Sequence, residues 1–275
     1  MKKKKRKTTG SPLANIEVWS VIPLLVVFFG ASAFIENPVL ALAPYLLVLG
    51  WVLWKILPRK INLSSFIGNV PTASWFLPLL ALMAAWFIVE VHLTGVILII
   101  LSYIWPSFVE TLLQEGPTVF NLANPLATQG LSLIDGIILA PIMEELIFRG
   151  ILLHKLASRW SKPAAIIFSS VIFGILHGPG MIGSTIWGIL MCLIYFRTRT
   201  LAVPIIIHML WNWTNFVVEG MTQLFMPGLM TTVELRYETI DAILLLVLSI
   251  PICIFLVRHL WPKDWSLPNI KRTQQ

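Results

Sequence analysis

The chain has 275 residues, 57% of them hydrophobic and only 12% charged, with a formal net charge of +7. A soluble domain carries about twice that charged fraction, so the composition excludes an ordinary water-soluble enzyme and makes lipid the main solvent. The positive charge is no nucleic-acid footprint. Basic residues fall in short clusters between apolar stretches, at Lys2 to Lys7, Lys55 to Lys60, Lys155 to Lys162, Arg197 to Arg199 and Arg258 to Arg272. That is the positive-inside pattern of cytoplasmic loops, suited to a bilayer with anionic headgroups.

A bilayer-spanning helix needs ~20 mostly apolar residues, and such stretches recur from Val18 to Leu260. The first is expected at about Val18 to Ile35. It resembles a secretory signal, with Ala31-Ser32-Ala33 where cleavage would fall, but its long basic lead and continuing apolar character favour an uncleaved span. The second is expected at about Val39 to Leu57. The third, about Ser74 to Ile104, is long and carries Glu90, His92 and Gly95. It could be two helices or one, and keeping every basic cluster on one side requires a single crossing.

A loop is expected at about Ser107 to Gly130. The remaining spans follow at about Leu131 to Leu156, Pro163 to His177, Met181 to Phe196, Leu201 to Val218 and Ile240 to His259. The expectation is an all-α, polytopic transmembrane bundle of about eight spans in the cell membrane, with both termini cytoplasmic. Four regions follow: a basic tail (1–16), N-terminal helices with a loop (17–130), a central core (131–219) and a last helix with its flanks (220–275). Cys192 and Cys253 lie inside apolar segments and read as small buried hydrophobes.

Ionisable groups within a membrane helix are costly and mark function by default. The fourth span carries Glu144, Glu145 and Arg149. Glu145 and Arg149 are four apart and share a face, whereas Glu144 lies ~100° round the helix. One carboxylate can be held by the arginine while the other faces a cavity. A purely structural Arg–Glu lock would account for Glu145 and Arg149 and leave Glu144 without a role. His177 closes the fifth span, where a lone histidine is commonly interfacial. The seventh carries His208 and Asn212 on one face; Asn215 further along reads as helix–helix glue.

At ~1.5 Å per residue, Glu144, His177 and His208 fall at comparable depths. Two chemistries fit. Glu144 can act as general base on a water also held by His177, with His208 and Asn212 donating to the oxyanion. Alternatively Glu144, His177 and His208 ligate a divalent metal such as zinc.

Glu144-Glu145-x-x-x-Arg149, Phe173-x-x-x-His177 and His208-x-x-x-Asn212, in that order, resemble the three motifs of the CAAX prenyl protease and bacteriocin-processing (CPBP) family. The flanks Ala140-Pro141-Ile142-Met143 and Phe148-Arg149-Gly150 resemble its bacterial branch. The resemblance covers about Leu131 to Val218 and implies an eight-helix fold and endopeptidase activity on a membrane-associated peptide or protein. It also implies Glu144 as the water-activating residue, oriented by Glu145 and Arg149, with His177, His208 and Asn212 completing the site. The family is classed with metalloproteases, and whether a metal is bound stays open.

Two other readings stand beside it: a non-catalytic bacteriocin self-immunity or surface-display scaffold, and a small proton-coupled transporter. No inverted repeat supports the transporter, and no His-Glu-x-x-His, Gly-x-Gly-Asp or Gly-x-Ser-Gly element points to another intramembrane protease. Glu90, His92 and Asp135 have no assigned role. Asp135 is nine residues before Glu144, half a turn away in α-helical phase, and is expected to face elsewhere. His154, beside Lys155, is expected at the interface.

Overall fold

The computed structural model describes residues 12–17, 23, 25, 40–71, 73–115, 130–131, 133–225, 231–237 and 239–272. The expected first span and its signal-like segment fall largely outside them. Among the described residues the chain is helical, with a single isolated antiparallel bridge between Ile61 and Arg272.

Helix α1 (Ala43–Ile56) opens with Pro44 in its first turn, where a missing N–H costs no helical bond. Its inward face, Tyr45, Val48, Val52 and Ile56, repeats at intervals of three and four residues and packs into the main core. The short α2 (Leu63–Ile67) is capped by Asn62, whose side chain accepts the Ser65 amide at 2.9 Å. It ends at Gly68, with φ of +77°; a Cβ there would fall 2.6 Å from Thr200 Oγ1. Only glycine meets both demands.

Helix α3 (Phe76–Ile104) runs unbroken for 29 residues. Glu90, His92 and Gly95 do not interrupt it; the His92 ring donates back to the Ile88 carbonyl at 2.6 Å. At ~1.5 Å per residue it is longer than the ~30 Å hydrocarbon thickness of a bilayer. The segment expected as a loop from about Ser107 instead starts as α4 (Pro106–Glu115), launched by a proline at its first position. The rest of that loop, 116–129, lies outside the described residues.

The fourth expected span is a composite helix, α5 (residues 134–157), in which α-helical turns alternate with two π-helical stretches, Ile134–Leu139 and Leu146–Leu152. It is followed by α6 (Lys162–Ile175), α7 (Met181–Thr198), α8 (Ala202–Phe225), the short α9 (Thr232–Tyr237) and α10 (Thr239–Leu260). Ser161 caps α6 through the Ala164 amide. Helices α6 and α7 pack side by side, and α10 lies along α3.

The main core joins α1, α3, α5, α6, α7 and α8. A smaller cluster of Ile99, Val109, Leu235 and Ala242 ties α3, α4, α9 and α10 together at the other end. There Arg236 donates to the Ser102 hydroxyl at 2.9 Å and lies over the Tyr103 ring.

Three helical segments are long and apolar enough to cross a membrane, Phe76–Ile104, Gly178–Thr198 and Thr239–His259; Lys162–Ile175 is a shorter apolar helix. Large hydrophobic side chains on α10, from Ile243 to Phe255, are exposed, as a lipid-facing surface requires. Residues 261–272 fold back over the basic end of the bundle. Arg199 donates to Asp264 at 3.1 Å and to Ser266 and Leu267, Trp265 packs on Phe196, and Lys271 bonds through its amide to Ser65.

Candidate active site

Glu144 and Glu145 end the α-helical turn Ala140–Glu145 that separates the two π-helical stretches of α5. In a π turn each amide reaches back five residues, so one extra residue is accommodated. Ala140 N–H bonds Asp135 O in this way. The next amide in that register would belong to residue 141, which is proline and has no N–H. The Gly136 carbonyl is met instead by the side-chain amide of Asn212, which donates to it at 2.8 Å. One hydrogen of Asn212 is thereby committed to joining α8 to α5.

Glu145 is fully buried and gathers two cationic or polar partners on one oxygen: Arg149 Nη1 at 2.8 Å and His208 Nδ1 at 3.0 Å. Arg149, 1% exposed, also donates from Nη2 to the Gly188 carbonyl at 3.1 Å and lies 4.9 Å over the Phe173 ring. Gly188 must be small, because a Cβ there would lie 2.9 Å from Ser170 Cβ on α6. The expected Glu145–Arg149 pair is therefore present. It is a three-helix junction rather than a bond within α5 alone.

A carboxylate only accepts hydrogen bonds, so His208 donates from Nδ1 to Glu145 and, when neutral, carries its lone pair on Nε2. That Nε2 faces Glu144 Oε2 at 3.7 Å. The separation is too long for a direct hydrogen bond. Both groups are nearly sealed from solvent, at 3% and 6% exposure. Trp187 packs edge-on to the His208 ring and stacks on Trp211, which contacts Phe87 of α3. Phe173 also lies edge-on to the imidazole, at 6.1 Å.

His177 lies half-buried just past the last turn of α6. Its Nδ1 donates to the Phe173 carbonyl at 2.7 Å, and its ring packs against the Phe173 ring at 4.3 Å. Nε2 is the acceptor of the neutral ring. His177 is within Coulombic range of Glu144, as His208 is. Phe173 thereby touches Arg149, His177 and His208 together.

All six expected site residues thus sit on one connected set of helices, with Glu144, Glu145, Arg149 and His208 in direct array. A zinc site needs three or four ligands at ~2.0–2.3 Å. Among the described residues no group of three His, Cys, Asp or Glu is arranged to hold a metal ion. Glu144 and His208 supply two facing donor atoms; a third is not in ligating position.

One neighbour, Tyr45 of α1, escaped sequence reasoning. Asp135 accepts a hydrogen bond from Tyr45 of α1, and Tyr45 lies within Coulombic range of Glu144. Nine α-helical residues would separate Asp135 from Glu144 by half a turn, but the π stretch absorbs one residue and rotates Asp135 by ~100°. His154, expected at the interface, is instead fully buried and bonded through Nε2 to the Tyr195 hydroxyl at 2.8 Å.

Residues 127–214 match the family model of type II CAAX prenyl endopeptidases, Rce1-like. The span includes all six site residues. The chain is also similar to the protein named "Putative membrane peptidase YdiL" of Bacillus subtilis (strain 168), with 38% identity over 107 residues, 38% of this chain and 43% of that one. The motif-bearing segment belongs to the CPBP family. No solved structure matches the chain. The similarity spans less than half of the curated relative's length. The CPBP segment holds α5, α6, α7 and the first half of α8, whereas Tyr45 and Phe87 reach the site from helices outside it.

Proposed function

We propose that the protein is an intramembrane endopeptidase that hydrolyses a peptide bond of a membrane-associated peptide or protein, with Glu144 activating the water. The observation that carries this reading is the buried approach of His208 Nε2 to Glu144 Oε2, 3.7 Å apart. Both atoms present a lone pair to the site, so a water beside the pair can donate a hydrogen to either. Glu145 and Arg149 support the arrangement: the carboxylate fixes the His208 tautomer, and the arginine balances its charge.

Hydrolysis then runs through the chain's own groups. The water oxygen attacks the scissile carbonyl carbon as its proton passes to Glu144, and the carbonyl π electrons move to oxygen. His177 and the second amide hydrogen of Asn212 are the candidate partners for the water and the oxyanion. Glu144 returns its proton to the leaving amine as the C–N bond breaks. Seclusion from bulk water strengthens each of these electrostatic contacts.

The test uses the full chain, purified and reconstituted in lipid nanodiscs, against a library of hydrophobic and lipidated peptides. Wild type should cleave at a defined bond; Glu144→Gln, folded to the same melting temperature, should not, and neither should His208→Ala, assayed well below its own lower melting temperature. Cleavage unchanged in Glu144→Gln would overturn the proposal. Chelator and zinc add-back separate the two chemistries. Activity surviving exhaustive chelation supports the carboxylate–imidazole route, and activity lost and restored by zinc supports Glu144, His177 and His208 as ligands.

A further inference from the structure

Helices α3, α7 and α10 enclose a groove whose chemistry changes along its length. At the basic end, a cavity of about 340 Å³ is lined by Ser74, Trp75, Arg197, Thr198 and His259. A second cavity of about 330 Å³ is walled by Leu82, Trp86, Leu190, Ile254 and Trp261, with Arg258 also on its lining. The two follow one another on the same faces. Leu79 lines the first and Leu82, three residues on, the second; Ile194 and Leu190 are likewise four apart on α7.

Among the described residues, no acidic side chain lines either cavity. Among the described residues, Arg197, Arg258 and His259 pair with no carboxylate. The first cavity therefore offers the Arg197 guanidinium, the His259 imidazole and the Ser74 hydroxyl, and the second adds Arg258 to an otherwise apolar trough. Guanidinium and phosphate match in charge and fork geometry.

From this we infer that the groove is a specific site for a phospholipid with an anionic headgroup. The phosphate sits against Arg197, Arg258 and Ser74, and an acyl chain lies along Leu82, Leu190 and Ile254. The chain contributes position rather than affinity, since bilayer hydrocarbon is as apolar as the groove. Selectivity rests on charge, at about fivefold per arginine.

Native mass spectrometry of the whole protein, released from detergent with defined lipids, tests the assignment. Phosphatidylglycerol should be retained over phosphatidylcholine by at least about fivefold. Arg197→Gln with Arg258→Gln should abolish that preference, and Ile254→Trp, which fills the trough from an exposed position, should lower retention without altering the melting temperature. Equal retention of the two lipids, or preference unchanged in the arginine variant, would overturn the site. So would binding of free glycerol phosphate as tight as that of the lipid, since the trough would then have no part.

Discussion

Asn212 completes the hydrogen bond that Pro141 leaves open, its amide donating to the Gly136 carbonyl at 2.8 Å across the α5–α8 interface. A side chain read from its motif as an oxyanion donor is therefore also a splint for an irregular helix. The two duties can be separated. Asn212→Ala should cost about 1 kcal/mol, the usual net value of one such bond, seen as a lower melting temperature. Pro141→Ala restores an N–H in the π register, so the double variant should regain most of that stability. If cleavage stays lost when stability returns, Asn212 acts on the substrate as well.

The paired glutamates should behave oppositely. Glu144 faces a gap, so Glu144→Gln should abolish turnover with little change in stability. Glu145→Gln weakens the partner of a buried arginine and histidine, and breaking a buried pair costs roughly 3–5 kcal/mol. Its melting temperature should fall sharply. Equal melting temperatures for the two variants would contradict the junction seen at Glu145.

Gly188→Ala should also damage the site from a distance. Its Cβ would press on Ser170 Cβ at 2.9 Å, forcing α6 and α7 apart. Overpacking of this kind costs about 1–3 kcal/mol and moves the carbonyl that holds Arg149. Second-site reversion at Ser170 to glycine should recover both stability and activity.

Tyr195→Phe provides a control. It removes the hydroxyl bonded to His154 in a fully buried pair, at a cost of about 1–3 kcal/mol. Because the pair is removed from Glu144, kcat measured well below the melting temperature should be unchanged.

Much of the site was legible because its key contacts follow helical periodicity. Glu145 and Arg149 are four apart on one element, and His208 and Asn212 are four apart on another. What was hidden depends on departures from that period or on tertiary packing. Asp135 meets Tyr45 from within a π stretch, whose phase no α-helical wheel reproduces. Tyr45 enters from α1 through a contact between distant segments. His154 sits beside Lys155, so its surroundings read as interfacial, but Tyr195 of α7 covers it. The polar residues of the helix Pro106–Glu115 conceal an amphipathic turn, so its sequence reads as a loop.

The folded-back tail should respond to acid. Hydrogen bonds from the Ser266 hydroxyl and amide hold the Asp264 carboxyl below its usual range. A carboxyl lowered in this way stabilises the fold above its unfolded pKa and loses that contribution as pH falls through the folded value. Pepsin should therefore release the tail faster as pH drops below about 4, and Asp264→Asn should be susceptible throughout the same range.

The wide turns on either side of Glu144 and Glu145 make this helix sensitive to chain length rather than to residue identity. Deleting one residue from 134–139 would leave every motif intact and every hydrophobic position filled. It would tighten the spiral to its ordinary pitch and swing Asp135 away from Tyr45 by ~100°. Length in that stretch is as much a part of the design as the carboxylates it aims.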